Sequence, residues 1–173
     1  ALRDKFQLMP AEIKSMTARI HADQSNVVCE PEVKKKRPQN SYDAQFSVHY
    51  IMAASLTRGR FTLDELEDDA LSDPTILDLC RKSGYEIDPD SAYPKYYSGE
   101  VIIETMDGRT LSHREAINRG SADNPVSTTD IEVKFFANAT RTVSHNKAEE
   151  VHTAIMSLEK HDTLKTLANS IVM

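Results

Sequence analysis

Across residues 13–21 apolar and polar positions alternate: Met16, Ala18 and Ile20 fall on one side, Thr17, Arg19 and His21 on the other. This period of two predicts a half-buried strand. Before it, residues 1–8 read as the tail of a helix that Pro10 stops, with no Ser, Thr, Asp or Asn ahead to cap a first turn. The chain is therefore expected to begin inside something larger. Residues 23–26 break the strand, Val27, Val28 and Cys29 predict a short second extension, and residues 30–40 a polar loop with two prolines.

From Ser41, a candidate N-cap, the period changes to that of a helix running to about Thr57. Phe46, Tyr50, Ala53, Ala54 and Thr57 share one face, and Gly59 stands where a left-handed terminating residue is expected. Thr62 with Glu65 matches a capping box that opens a short helix through Ala70. Asp73-Pro74 opens another, which Gly84 ends near residue 82. Residues 85–87 and 100–106 predict strands, and Asp107-Gly108 a two-residue type I′ hairpin into residues 109–112. After a loop over 118–126, Ser127 caps a helix to about Asn138 with Ile131, Phe135 and Ala139 on one face. Two more helical stretches, near 146–158 and 163–171, follow. The expected class is α+β: a small antiparallel sheet with a hairpin, packed against several helices, in one domain over residues 1–173.

Composition changes this picture little. Of the 173 residues 39% are hydrophobic and 28% charged, enough apolar material for one core. No apolar run approaches the ~20 residues that cross a bilayer, and the start has no apolar signal core, so no membrane association and a cytoplasmic location are expected. The net charge of −6 argues against nucleic acid as a partner, because phosphate binding needs a positive surface. Cys29 and Cys80, far apart in the chain, read as reduced, buried thiols.

The histidines (His21, His49, His113, His145, His152, His161) form no HxH or HExxH, and neither cysteine has a CxxC partner, so no metal site is expected. With 5 glycines the chain has no phosphate-cradling loop, and no GxSxG elbow occurs. Two features remain. Lys34-Lys35-Lys36-Arg37 is the densest charge cluster, either a solvated loop or an anion-attracting rim. His49-Tyr50 lies on the amphipathic helix, with Tyr50 on the apolar face and His49 about a hundred degrees away. Its phenol is either a core group with a hydrogen-bond partner or one that reaches a cleft to bind a carboxylate or move a proton.

Residues 38–50, Pro-Gln-Asn-Ser-Tyr-Asp-Ala-Gln-Phe-Ser-Val-His-Tyr, resemble a segment of the MmgE/PrpD family's carboxy-terminal domain, Pro-x-Thr-x-x-Glu-Ala-Lys-Phe-Ser-x-x-Tyr. Ala53-Ala54, Gly59, Phe61-Thr62-Leu63, Asp73-Pro74, Val101-Ile102-Ile103, Asp107-Gly108, Gly120, Asn124-Pro125-Val126-Ser127 and Lys134-Phe135 continue the family pattern in order. Gln45 stands where the family commonly has lysine.

The resemblance implies proton chemistry beside a carboxylate, as in 2-methylcitrate dehydratases, cis-aconitate decarboxylases and epimerases of aspartate-derived acids, with no cofactor. It implies Tyr50 as the catalytic residue and a small tricarboxylate as substrate, which Lys36 and Arg37 of the basic run are expected to bind by attraction of charge. It further implies a helical amino-terminal domain, absent here, as partner, and a homodimer in the full-length form. The leading expectation is part of a 2-methylcitrate-dehydratase-like lyase, inert as the isolated chain. The alternatives are a decarboxylase or epimerase on the same scaffold, or a non-catalytic assembly domain that uses helical faces such as 146–158.

Overall fold

The alternating segment becomes strand β1 (Ile13–Ile20), and three strands join it: β2 (Ser83–Ile87), β3 (Gly99–Thr105) and β4 (Thr110–Glu115). The computed structural model describes residues 1–160 and 163–171; His161 lies outside them. The sheet order is β2-β1-β3-β4. β3 runs antiparallel to both β1 and β4, while β2 runs parallel to β1. The α+β class holds, with a mixed sheet in place of a purely antiparallel one. The parallel pair follows from connectivity, since β1 reaches β2 through a long helical crossover instead of a hairpin.

That crossover holds α2 (Ala22–Val28), α3 (Glu32–Lys35), α4 (Ser41–Gln45), α5 (Val48–Arg58), α6 (Asp68–Leu71) and α7 (Pro74–Arg81); α1 (Leu2–Phe6) precedes β1. Three expectations change here. Val27 and Val28 belong to a helix, because the His21 ring nitrogen accepts the Asp23 N–H and caps it. The polar loop contains α3, which opens where the Glu30 carboxylate accepts the Glu32 N–H and is braced by a Glu32–Lys36 pair at 2.6 Å. The long helix from residue 41 is two helices: Asn40, not Ser41, caps α4, and Ser47 starts α5 afresh.

The pairing register gives the sheet two unlike faces. Met16, Ala18, Tyr85, Val101, Ile103 and Leu111 share the face that joins the core with α5 and α7. On the other face Glu86, Arg19, Glu100 and Arg114 sit side by side across all four strands. Arg19 reaches Glu86 at 3.0 Å and Glu100 at 3.5 Å; Arg114 reaches Glu100 at 3.7 Å and the buried Asp88 at 2.8 Å.

The hairpin falls where Asp107-Gly108 predicts it, but its geometry differs. Only Gly108 has positive φ (88°), and Thr105 pairs through its N–H with the Arg109 carbonyl. This is a three-residue loop with glycine in the left-handed position, not a type I′ turn. The Thr105 hydroxyl donates to the Asp107 carboxylate across this loop.

Residues 1–125 form one compact unit and the chain from Val126 onward a second. The second holds α8 (Thr128–Ala139), α9 (His145–Met156) and α10 (Lys165–Ile171). Ser127 and Ser144 cap α8 and α9 through their hydroxyls. Phe135 and Phe136 meet the His152 ring, whose nitrogen is 3.1 Å from Glu132.

Two glycines are expected to respond in opposite ways. Gly59 closes α5 at φ 75°, with Arg3 packed over it, so Gly59→Ala should lower unfolding free energy by about 1–2 kcal/mol. Gly84 lies in β2 with open space at its Cβ, so Gly84→Ala should leave stability unchanged or raise it by up to about 1 kcal/mol. Denaturant melts of the two variants check this.

Candidate functional site

The break between α4 and α5 is organised by one hydroxyl. Ser47 is fully buried; its Oγ accepts the Tyr50 N–H at 3.0 Å and donates to the Lys35 carbonyl at 2.5 Å. Capping and tethering in one atom, it starts α5 at a fixed place against α3. Nearly the whole first half of α5 is then enclosed: His49, Tyr50, Met52, Ala53 and Ala54 are all buried. His49, about a hundred degrees round the helix from Tyr50, is thus buried as well. Helices α3, α4 and α7 and strand β2 all pack against α5, while Ile51 and Ser55 stay half-buried.

Tyr50 has no exposed surface, and its hydroxyl donates to the Glu65 carbonyl at 2.6 Å. Burial pushes its pKa up to about 12, which keeps the phenol protonated and fit to donate. Glu65 is itself fully buried. Its carboxylate accepts the Thr62 N–H (2.7 Å), the Thr62 hydroxyl (2.8 Å) and the Arg60 Nε–H (3.1 Å). Burial works to raise the Glu65 pKa, but those donors prevail and hold it below the usual carboxylate range. The Thr62–Glu65 capping box is thus present, and it also fixes the backbone that receives Tyr50. The helix it opens is a 3-10 turn followed by α6, shorter than expected.

His49 sits behind Tyr50. Its Nδ1 lies 2.8 Å from the Ser83 hydroxyl, which donates to the Cys80 carbonyl at 2.7 Å. Nε2 is buried without a hydrogen-bond partner. Burial lowers the His49 pKa, and the Lys36 ammonium lowers it further. The His49 ring meets Tyr85 edge-on, and the Tyr85 hydroxyl donates to Glu30 at 2.7 Å. Cys29 and Cys80 are both buried, and burial pushes both thiols up to about 12, so neither is a ready nucleophile. Among the described residues, no three His, Cys, Asp or Glu side chains converge as metal ligands. No helix among them is long and apolar enough to cross a membrane.

The basic run divides by role. Lys35 turns inward, and its ammonium donates to the Val27 and Phe46 carbonyls, both at 2.6 Å, tying the ends of α2 and α4 together. Lys36 and Arg37 face outward into a cavity of about 470 Å³ whose other walls are Val33, Leu77 and Arg81. A second cavity, of about 250 Å³, lies between α1, α5 and the inner sheet face and is mostly apolar, with Arg3, Ser55 and His113 as its polar groups. The structure thus brings Lys36 and Arg37 together. Tyr50 is not in the lining of either cavity. Arg81 carries no sequence signal beyond its place at the C-terminal end of α7, because the residues around α3 that it joins in the cavity lie more than forty positions away.

Comparison with known proteins places this geometry in context. The family model for the MmgE/PrpD C-terminal domain matches residues 1–160. Cis-aconitate decarboxylase of Mus musculus is 28% identical over 129 residues, covering 73% of this chain and 26% of that protein. The Homo sapiens cis-aconitate decarboxylase is 27% identical over 129 residues, 73% of this chain and 27% of that protein. The chain thus spans about a quarter of the length of these curated relatives.

His49 makes stability pH-dependent in a defined direction. Its folded pKa lies below the ordinary 6.5, so the unfolded chain binds the proton more tightly. The stability it contributes is full above pH 6.5 and is lost as pH falls through the lowered folded value. The urea midpoint should therefore drop between pH 7.5 and 5, and this part of the drop should vanish in His49→Gln, measured at both pH values.

Proposed function

This chain belongs to the MmgE/PrpD family through its C-terminal domain, and from that premise we propose that the protein carrying it is a lyase of small tricarboxylic acids, with decarboxylation of cis-aconitate as the reaction. The observation that carries the reading is the match to the family model over residues 1–160, joined to relatives that are cis-aconitate decarboxylases. Dehydration of a 2-methylcitrate-like acid is the second reading, favoured by the same family match.

Both reactions have the same electrostatic problem. Loss of carbon dioxide or of a proton leaves an electron pair beside carboxylates that repel it, so fixed cations and hydroxyls must hold those carboxylates while an acid or base moves the proton. In this proposal Lys36 and Arg37 supply positive charge at the domain surface. Tyr50 contacts substrate only in a state in which its hydroxyl has left the Glu65 carbonyl; otherwise it acts by fixing α5. A helical domain of the same protein supplies the remaining wall of the cleft.

Carbon dioxide release from cis-aconitate and water loss from 2-methylcitrate should be measured with the full-length protein that carries this chain. Carbon dioxide release is expected; if neither product forms, the lyase reading fails. For Tyr50→Phe the loss of one buried hydrogen bond, which strands the Glu65 carbonyl, should cost about 1–2 kcal/mol of stability. An unchanged kcat/KM in that variant would remove the phenol from the chemistry.

A further inference from the structure

The cavity between α3 and α7 is unusual for this chain. The protein as a whole carries 27 acidic against 21 basic residues. Yet across residues 32–37 and 78–82 the balance reverses: Lys34, Lys35, Lys36, Arg37, Arg81 and Lys82 stand against Glu32 and Asp78 alone. Three of those cations, Lys36, Arg37 and Arg81, come from two separate helical segments to line one concavity of about 470 Å³. That volume lies within the range typical of small-molecule sites.

The charges there are not equally committed. Lys36 holds Glu32 at 2.6 Å and Arg81 holds Asp78 at 3.0 Å, so each has one carboxylate behind it that fixes its position. Asp78 is shared with Lys82 at 2.8 Å, which leaves Arg81 with less than one full counter-charge. Arg37 has no acidic partner among the described residues. The concavity therefore holds an excess of positive charge, on side chains that are partly pre-positioned.

The walls between the cations are apolar. Val33 is 86% exposed, on the outer side of α3, and Leu77 is half-buried on α7. An exposed valine beside a leucine, ringed by guanidinium and ammonium groups, suits a ligand with carboxylates at its periphery and carbon between them. It suits inorganic phosphate less well, since a phosphate would leave both apolar walls wet.

We propose that the α3–α7 groove, formed by Lys36, Arg37 and Arg81 over Val33 and Leu77, is a binding site for small polycarboxylate anions. The groove rests on the geometry alone; its assignment to carboxylates rests on the lyase reading above. Arg37 and Arg81 present bidentate donors suited to carboxylates, and Lys36 adds a point charge. The site gathers the acid at the domain surface, and its polarity is opposite to that of the chain around it.

The test is an NMR titration of the 173-residue chain with citrate, cis-aconitate and inorganic phosphate at matched ionic strength. Citrate and cis-aconitate should give saturable shifts at the amides of residues 33–37 and 77–82. Arg37→Gln and Arg81→Gln should each weaken binding about five-fold, the double variant should abolish saturation, and Arg109→Gln, in the hairpin, should leave affinity unchanged. Both groove arginines are exposed, so the folded amide spectrum should survive their replacement. Shifts confined to other surfaces, or an affinity indifferent to both arginines, would overturn the site. Phosphate binding as tight as citrate would overturn the carboxylate assignment while leaving the groove. Citrate binding here together with an inactive full-length protein would sink the lyase reading and not this one.

Discussion

The Ser47 hydroxyl is the point on which the first unit turns. A single buried oxygen cannot be moved without stranding either the Tyr50 N–H or the Lys35 carbonyl, so the start of α5 and the end of α3 are locked together. With α5 fixed at its first turn, Tyr50 necessarily meets the Glu65 carbonyl, and His49 necessarily meets Ser83 at the base of β2. The same lock presents the basic run: Lys35 is drawn in to cap carbonyls, and Lys36 and Arg37 are left facing out towards α7. The Phe-Ser-x-x-Tyr pattern thus has a mechanical meaning before it has any chemical one.

Buried polar groups recur along this path, and each is paired in a way that keeps it in one protonation state. Glu65 stays ionised because three donors outweigh its burial, whereas Tyr50 stays neutral because burial raises its pKa while its hydroxyl donates to a carbonyl. His49 is the exception, with one ring nitrogen engaged and the other enclosed without a partner. Such a group adds specificity to the packing of α5 against β2 at the expense of stability in acid.

What could be read from the sequence was whatever depends on near neighbours. The β1 alternation, the Asp73-Pro74 start, the Ser127 cap and the position of the hairpin each need only a few adjacent residues, and each appears where expected. The break at Phe46–Ser47 was hidden because the apolar period continues across it; Ser47 reads as an ordinary helical serine until the Lys35 carbonyl is known to lie beside it. The parallel pairing of β2 was likewise out of reach, since it is set by how a helical crossover packs. For the groove, two of its three cations were legible in the Lys34–Arg37 run. The remaining cation, Arg81, looks like any cation closing a helix. Tyr50 was legible as a tyrosine with a task, but whether its hydroxyl faces a cleft or a carbonyl depends on Glu65, fifteen residues on.

The row of Glu86, Arg19, Glu100 and Arg114 across the outer sheet face has a further consequence. Alternating apolar and polar residues forbid a strand from sliding by one position, because that would turn its inner face outward. They say nothing about a slide by two, which restores every side chain to its proper face. The charge row settles that ambiguity: shifting β3 two places along β1 would leave Arg19 opposite Ile102 or Ser98 and part it from Glu100. Hydrophobicity sets the parity of this sheet, and the ion row works as its vernier, selecting one alignment among those that burial alone cannot tell apart.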